Sequence, residues 1–293
     1  MRNRILLIIG IILFIFLLIF LTMRLHGKPA VLTAQGSLTV SGLFVELQDA
    51  QSRGDLSAQK SAYQKLINNF SNNKDINSWQ KKSDDINIKI LFSPMLASKL
   101  DKEALHKNNS ADEGLTSGIS IDAKEYVVQP LDNLNKIARQ FNTTVEFIKK
   151  SNGLSSNRIN PGDSLRIWAG KFSIFVDKSQ NILVLKSNDE IVKTYTVSTG
   201  LNNSTPVGTF KVVNKLMNPV WYKESAVVPA GSPENILGTR WMGFDLKGYG
   251  IHGTTIPSSL GKQATAGCVR MLNSEVEELY TIVPVGTEVT VVD

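Results

Sequence analysis

The stretch FSIFVDKSQNILVLKSNDEIVKTYTVS, residues 172–198, decides the fold class. Apolar and polar residues alternate in three short runs, Phe172 to Asp177, Ile182 to Ser187 and Ile191 to Ser198. A period of two sends successive side chains to opposite faces, so each run reads as a half-buried strand. The pieces between them, Lys178 to Asn181 and Asn188-Asp189, are turn-forming, and the three runs together read as an antiparallel meander. Thr209 to Asn214 is expected to continue it, and Gly286 to Val292 is a further alternating run. One amphipathic helix is expected over Ser274 to Ile282, with Val276, Leu279 and Tyr280 on its apolar side. Residues 170–293 are therefore expected to form one mainly β domain with a single sizeable core.

Immediately upstream the period changes. Glu125 to Val128 is β-prone, and Leu134, Ile137, Ala138 and Phe141 have helical spacing. Thr144 reads as the cap of a second helix carrying Val145 and Ile148 and ending at Ser151-Asn152-Gly153. Asn160-Pro161-Gly162-Asp163 is a turn, followed by a strand over Ser164 to Ile167. This β-α-α-β unit, with its YVV, LNKIARQFN, SNGL and INPGDSLRI, resembles the lysin-motif (LysM) domain. That family binds N-acetylglucosamine-containing polymers such as peptidoglycan and chitin, which implies a glycan-binding domain at residues 125–169. The family opens its first helix with Gly-Asp-Thr-Leu. Here the positions read Leu131-Asp132-Asn133-Leu134, a change in the loop with which the family grips glycan.

Residues 29–42, rich in Gly, Ser, Thr and Ala, read as a spacer. From Leu43 to Leu91 the spacing is helical, with Arg53-Gly54-Asp55 ending a first helix. Ala62, Tyr63, Leu66, Ile67 and Phe70 share one face of a second, and Trp79, Ile86 and Ile90 mark a third. The pair around Gly54 resembles one helical hairpin of the tetratricopeptide type. A single copy cannot bury both its faces, so residues 29–124 are read as spacer, helical stalk and polar linker.

Ile5 to Met23 is apolar apart from the mild exceptions Gly10 and Thr22, and it follows Arg2 and Arg4. About 18 or more apolar residues suffice to cross a bilayer as a helix. No A-x-A-like cleavage site follows the run, so residues 1–28 are expected to be an uncleaved single-pass anchor that meets membrane lipid through residues 5–23. Arg24 and Lys28 nearly balance Arg2 and Arg4 across the segment, so flanking charge alone does not set its orientation.

Composition narrows the chemistry. The chain of 293 residues has a net charge of +6 and one Cys, which excludes an intramolecular disulfide and a Cys-rich zinc site. With three His in all, a His-rich metal centre is not expected, and no metal or organic cofactor is implied. The basic balance suits an anionic surface such as a membrane or cell wall. No long basic run or DNA-binding motif is present, so nucleic acid is not an expected partner.

Residues 249–272 read YGIHGTTIPSSLGKQATAGCVRML and hold both the sole Cys, Cys268, and His252. A thiol nucleophile needs a base, because the thiolate is the reactive form. Imidazole suits that task near neutral pH, and His26 and His106 lie at the membrane border and in the linker. His252 is thus the base candidate within the domain. Gly267 permits close approach of the chain to a substrate and turns backbone N–H groups toward an oxyanion. Arg270 either supports the Cys loop or binds a substrate carboxylate. A lone Cys is more often a small buried hydrophobe, and a lone His is usually structural. Their shared glycine-flanked setting, with Gly253 and Gly267, is what favours chemistry.

The pattern HGTxxPxSxGxxxSxGCxRM belongs to the L,D-transpeptidase (YkuD-type) catalytic domain, and this segment resembles it almost throughout. The upstream pieces STPVGTFKV, NPVWY and PENILGTRWMGF resemble the same family. The resemblance implies a β-sandwich fold for residues 170–293, with Cys268 as the acylated nucleophile and His252 as proton acceptor and donor. It implies oxyanion N–H groups from Gly267 and Cys268, a substrate-binding set of Arg270, Gly267, Gly253, Thr265 and Tyr249, and acylation by carbapenems. Thr265 stands where Ser is usual and Ala266 where many members have His. The function implied is peptidoglycan crosslinking on stem peptides and glycan strands at the cell envelope. A carboxypeptidase using the same pair and a non-catalytic wall tether are the alternatives.

Overall fold

A computed structural model describes residues 38–93, 123–223 and 226–293. The expected anchor at 5–23 lies outside the described residues, as do the spacer up to residue 37 and the linker from 94 to 122. Among the described residues, no helix is long and apolar enough to cross a membrane.

Three helices come first, Val40–Ser52 (α1), Leu56–Asn69 (α2) and Ile76–Phe92 (α3). Gly54, at φ 66°, makes the left-handed turn between α1 and α2, and Asp55 caps α2 by accepting from the Ala58 N–H. Leu43, Leu47, Ala62, Tyr63, Leu66, Trp79, Ile86 and Ile90 share one core. The third helix therefore covers the face that a single hairpin would leave open.

The β-α-α-β unit follows as Ala123–Val127 (β1), Leu134–Gln140 (α4), Val145–Ser151 (α5) and Ser164–Trp168 (β2), with β1 and β2 antiparallel. Asn133 and Thr144 cap the two helices with their side-chain oxygens. Val128, Leu134, Ile137, Ile148, Leu165 and Ile167 fill its small core. Leu131 sits at φ 69° and is 92% exposed. The position where the LysM family carries Gly is thus a left-handed one, which a Cβ disfavours. Asp132 locks this loop, accepting from the Tyr126 hydroxyl at 2.6 Å and the Gln129 N–H at 2.9 Å.

The rest of the chain runs Phe172–Asp177 (β3), Ile182–Ser187 (β4), Glu190–Thr196 (β5), Thr199–Gly200 (β6), Gly208–Met217 (β7), Trp221–Lys223 (β8) and Ala226–Val228 (β9). It ends with Arg240–Phe244 (β10), Gly250–His252 (β11), Gln263–Thr265 (β12), Val269–Arg270 (β13), Asn273–Ile282 (α6) and Glu288–Val292 (β14). A mixed sheet of eight strands has the order β13-β11-β10-β7-β14-β3-β4-β5. The meander β3-β4-β5 is as expected. Its continuation is not: β7 does not join β5. The last strand, β14, enters between β3 and β7, parallel to the first and antiparallel to the second. Alternation reports which face of a strand is buried, and says nothing of its neighbour. Where a sandwich of two sheets was expected, one curled sheet wraps a single core that runs from Ile174 and Leu183 to Met271 and takes Val276, Leu279 and Ile282 from α6.

The elements upstream pack on this core. Helix α3 lies along the edge strand β5, where Asp84 accepts the Thr194 N–H at 2.9 Å and Asn87 donates to the Val192 carbonyl at 2.9 Å. Lys193 joins Asp85 of α3, at 3.1 Å, to Glu278 of α6, at 3.0 Å. The expected stalk is thus a layer of the β domain that satisfies its exposed edge. From α5, Phe147 enters the main core beside Trp168 and Phe172, and the Thr144 hydroxyl donates to the Thr281 carbonyl.

Candidate active site

Strands β11 and β13 are parallel neighbours, with Ile251 opposite Val269 and His252 opposite Arg270. Ile251 and Val269 are fully buried β-branched residues that anchor both strands in the core. Alternation then puts His252, Arg270 and Cys268 together on the other face. One step back along the register Cys268 meets Gly250, so the thiol lies diagonal to the imidazole. Gly250 is bare for a reason: a Cβ there would fall 2.5 Å from the Met242 carbonyl oxygen and 3.0 Å from the Trp241 ring. That ring stacks on His252 at 6.1 Å between centroids.

His252 is 2% exposed, and its Nδ1 lies 2.7 Å from the Gly253 carbonyl oxygen. A carbonyl only accepts, so Nδ1 carries the hydrogen and Nε2 the lone pair. Burial lowers the imidazole pKa to about 4; the Gly253 carbonyl opposes this, the Arg270 charge adds to it, and the Ile236 carbonyl opposes it. Cys268 is partly buried and its Sγ donates to the Gly248 carbonyl at 3.4 Å. Burial raises its pKa, against the Gly250 N–H and the Arg270 charge. The resting pair is therefore a neutral thiol and a neutral imidazole, although a free imidazole would titrate near neutrality.

The Cys loop is built from the other expected residues. Thr265 Oγ1 donates to the Cys268 carbonyl at 2.7 Å and accepts the Gly267 N–H at 3.1 Å. The Gly267 amide expected to face an oxyanion is thus engaged within the loop. Gly267 has φ 134°, and a Cβ there would fall 2.7 Å from Cε1 of Tyr249. Tyr249 is half-buried, packs against the core and backs this glycine. Arg270 is 6% exposed, exchanges backbone hydrogen bonds with Ser198 at 2.9 and 2.8 Å, and donates to Ser259 Oγ at 3.0 Å. Its Nε has no partner, and the acidic group acting on it is Cys268.

Four residues with a place in this geometry carried no role in the sequence reading: Gly250, Trp241, Asn235 and Asn273. Trp241 and Asn235 lie in the quoted PENILGTRWMGF, and Asn273 stands three residues after Arg270. Asn235 and Asn273 act through side-chain oxygens that accept backbone N–H groups, and Gly250 and Trp241 through close approach and ring stacking, none of which the side-chain pattern announces. Among the described residues, no group of three or more His, Cys, Asp or Glu side chains converges as a metal site.

The profile of the L,D-transpeptidase catalytic domain matches residues 171–291, and that of the LysM domain matches residues 126–168. The provisionally named L,D-transpeptidase YqjB of Bacillus subtilis is 42% identical over 126 residues, which cover 41% of this chain and 70% of that protein. The provisionally named L,D-transpeptidase YkuD of Bacillus licheniformis is 36% identical over 174 residues, 57% of this chain and 97% of that protein. A solved L,D-transpeptidase from Mycobacterium smegmatis aligns at 19% identity over 45% of this chain and 64% of that one, with a TM-score of 0.37.

Proposed function

Because the chain belongs to the L,D-transpeptidase family and carries a LysM domain, we propose that it crosslinks peptidoglycan by two acyl transfers through Cys268. The observation that carries this reading is the placing of Cys268, one residue before β13, and His252 of β11 on one face of two neighbouring parallel strands, beside the bare Gly250. Cys268 Sγ attacks the carbonyl that joins the L-centre of a diamino acid to the terminal D-residue of a stem peptide. His252 Nε2 takes the thiol proton and passes it to the departing amine. The D-amino acid leaves and a thioester remains. The amine of a second stem then attacks the thioester, loses a proton to His252, and releases the thiol as the crosslink forms.

With the Gly267 N–H turned to Thr265 at rest, the Cys268 N–H is the first donor to the oxyanion. Arg270, buried without a carboxylate, takes a substrate carboxylate. The LysM domain holds the chain on glycan and raises the effective concentration of stem peptides. Residues 5–23 tether it to the membrane with residues 29–293 outside the cytoplasm.

The test is incubation of the full chain with a tetrapeptide stem, with and without an amine acceptor, followed by mass spectrometry. Release of the D-amino acid with an acceptor-dependent crosslinked product is expected. Hydrolysed stem alone makes the protein a carboxypeptidase, and no product makes it a tether. A cytoplasm-specific reporter fused after Asp293 is expected to be silent; an active one overturns the topology.

A further inference from the structure

One peptide plane joins His252 to a residue outside the motif. The carbonyl of the Gly253–Thr254 peptide accepts from His252 Nδ1 at 2.7 Å, and the N–H of that same peptide donates to Asn273 Oδ1 at 2.9 Å. The same oxygen accepts the Thr239 N–H at 3.2 Å, at the entry to β10. The two glycines beside it are shaped to admit it. A Cβ on Gly238 or on Gly253 would fall 2.2 Å from Asn273 Oδ1. We infer that Asn273 is a positioning residue: by holding the Gly253–Thr254 peptide it fixes the direction of the carbonyl that sets the tautomer and tilt of His252.

The argument is one of rotational freedom. A peptide plane that follows a glycine flips easily, because no Cβ opposes the rotation. If the Gly253 carbonyl turned away, Nδ1 would lose its acceptor, and in a buried site that loss falls on the tautomer. The hydrogen would then be shared between Nδ1 and Nε2, and only the Nδ1–H form offers a lone pair at Nε2. Asn273 prevents the flip because a flipped N–H would leave Oδ1. It sits at the first position of α6, a helix anchored by the buried Val276, Leu279 and Ile282, so its own place is rigid. An asparagine holds a second peptide plane in the same way: the Leu237 N–H donates to Asn235 Oδ1 at 3.1 Å.

The inference rests on the reading of His252 as the base, and the experiment separates the two. The full chain, labelled with 15N-histidine, is examined by NMR as wild type, Asn273→Ala and Asn273→Asp, and the rate of mass gain with a carbapenem is measured on each. His252 is expected to show the Nδ1–H signature in the wild type and a mixture in Asn273→Ala, whose acylation falls about 10- to 100-fold with the carbapenem concentration for half-maximal rate little changed. Asn273→Asp keeps an oxygen acceptor and is expected to keep the tautomer. An unaltered tautomer and rate in Asn273→Ala overturn the inference, as does a mixed tautomer in Asn273→Asp. If Asn273→Ala does not fold, the Asn273→Asp result and an Asn273→Ser variant, which is expected to give the mixed tautomer, decide the matter. Failure of the reading itself has a different mark: His252→Asn would acylate at the wild-type rate whatever Asn273 does.

Discussion

At Cys268 and His252 burial acts in opposite directions, raising the thiol pKa and lowering the imidazole pKa to about 4. A base that stays neutral through the physiological range is available for proton abstraction without first losing a proton. Acylation by a carbapenem is therefore expected to hold steady from neutral pH down to about 5 and to fall through about 4. In His252→Ala it should be slower by about 10²–10⁴-fold at neutral pH and recover only above the usual thiol range, because burial keeps Cys268 protonated. The rate of mass gain on the intact protein against pH checks both limbs; a wild-type midpoint near that of a free imidazole counts against a buried neutral base. Stability follows the same sign. The unfolded chain takes up the His252 proton below pH 6.5 while the folded chain resists until about 4, so stability falls across that window. The loss is on the order of 3 kcal/mol, and His252→Asn should flatten it in urea titrations at successive pH values. Both side chains were legible in the sequence, since one Cys and one nearby His leave few alternatives. The direction of their proton affinities was not, because burial depends on residues brought in from other elements, such as Trp241 of β10, whose ring stacks on His252.

Among the elements, turn and cap chemistry was the most legible. Arg53-Gly54-Asp55 was read as a helix end and Thr144 as a cap; Gly54 makes the turn and Thr144 caps as expected, while Asp55 also caps the next helix, because these residues work on backbone within three positions of themselves. Leu131 is the informative exception. It occupies the left-handed turn from which its LysM relatives exclude a Cβ, and Asp132 holds it there. Such a conformation costs an L-residue about 1–2 kcal/mol, part of which glycine gives back through its freer unfolded chain. Leu131→Gly should therefore stabilise the protein by about 0.5–1 kcal/mol, read as a higher urea midpoint with an unchanged slope. A lower midpoint would mean that the exposed leucine makes contacts worth more than its strain. Strand partners were the least legible feature. The alternation of β14 marks it as a strand, but its place between β3 and β7 is set by a core that draws on residues far apart in the chain.

For the whole molecule, what read along the sequence as a stalk, a glycan module and a catalytic domain is joined in space into one packed unit. A change of period marks where topology changes, not where packing stops. Phe147 shows the difference: it stands on helix α5 of the LysM domain, yet it is 1% exposed in the main core, within 5.9 Å of Phe172 and 5.7 Å of Phe92 between ring centroids. Its ring touches all three parts of the chain at once. Truncating such a side chain leaves a cavity that neighbours from three directions cannot close together, and costs about 3–5 kcal/mol. Phe147→Ala is therefore expected to lower the melting temperature of the catalytic part as well as that of the LysM domain, in a single cooperative transition by calorimetry. Thr143→Ala, just before the same helix but outside that aromatic cluster, should shift it little. Two separate transitions, with Phe147→Ala moving only one of them, would mean that the glycan module folds alone and that its contact with the β domain adds nothing to the site. If the transition is single, removal of residues 125–168 should abolish turnover of even a small soluble stem peptide, since it takes Phe147 and Trp168 out of the main core and exposes Phe172 at the start of β3.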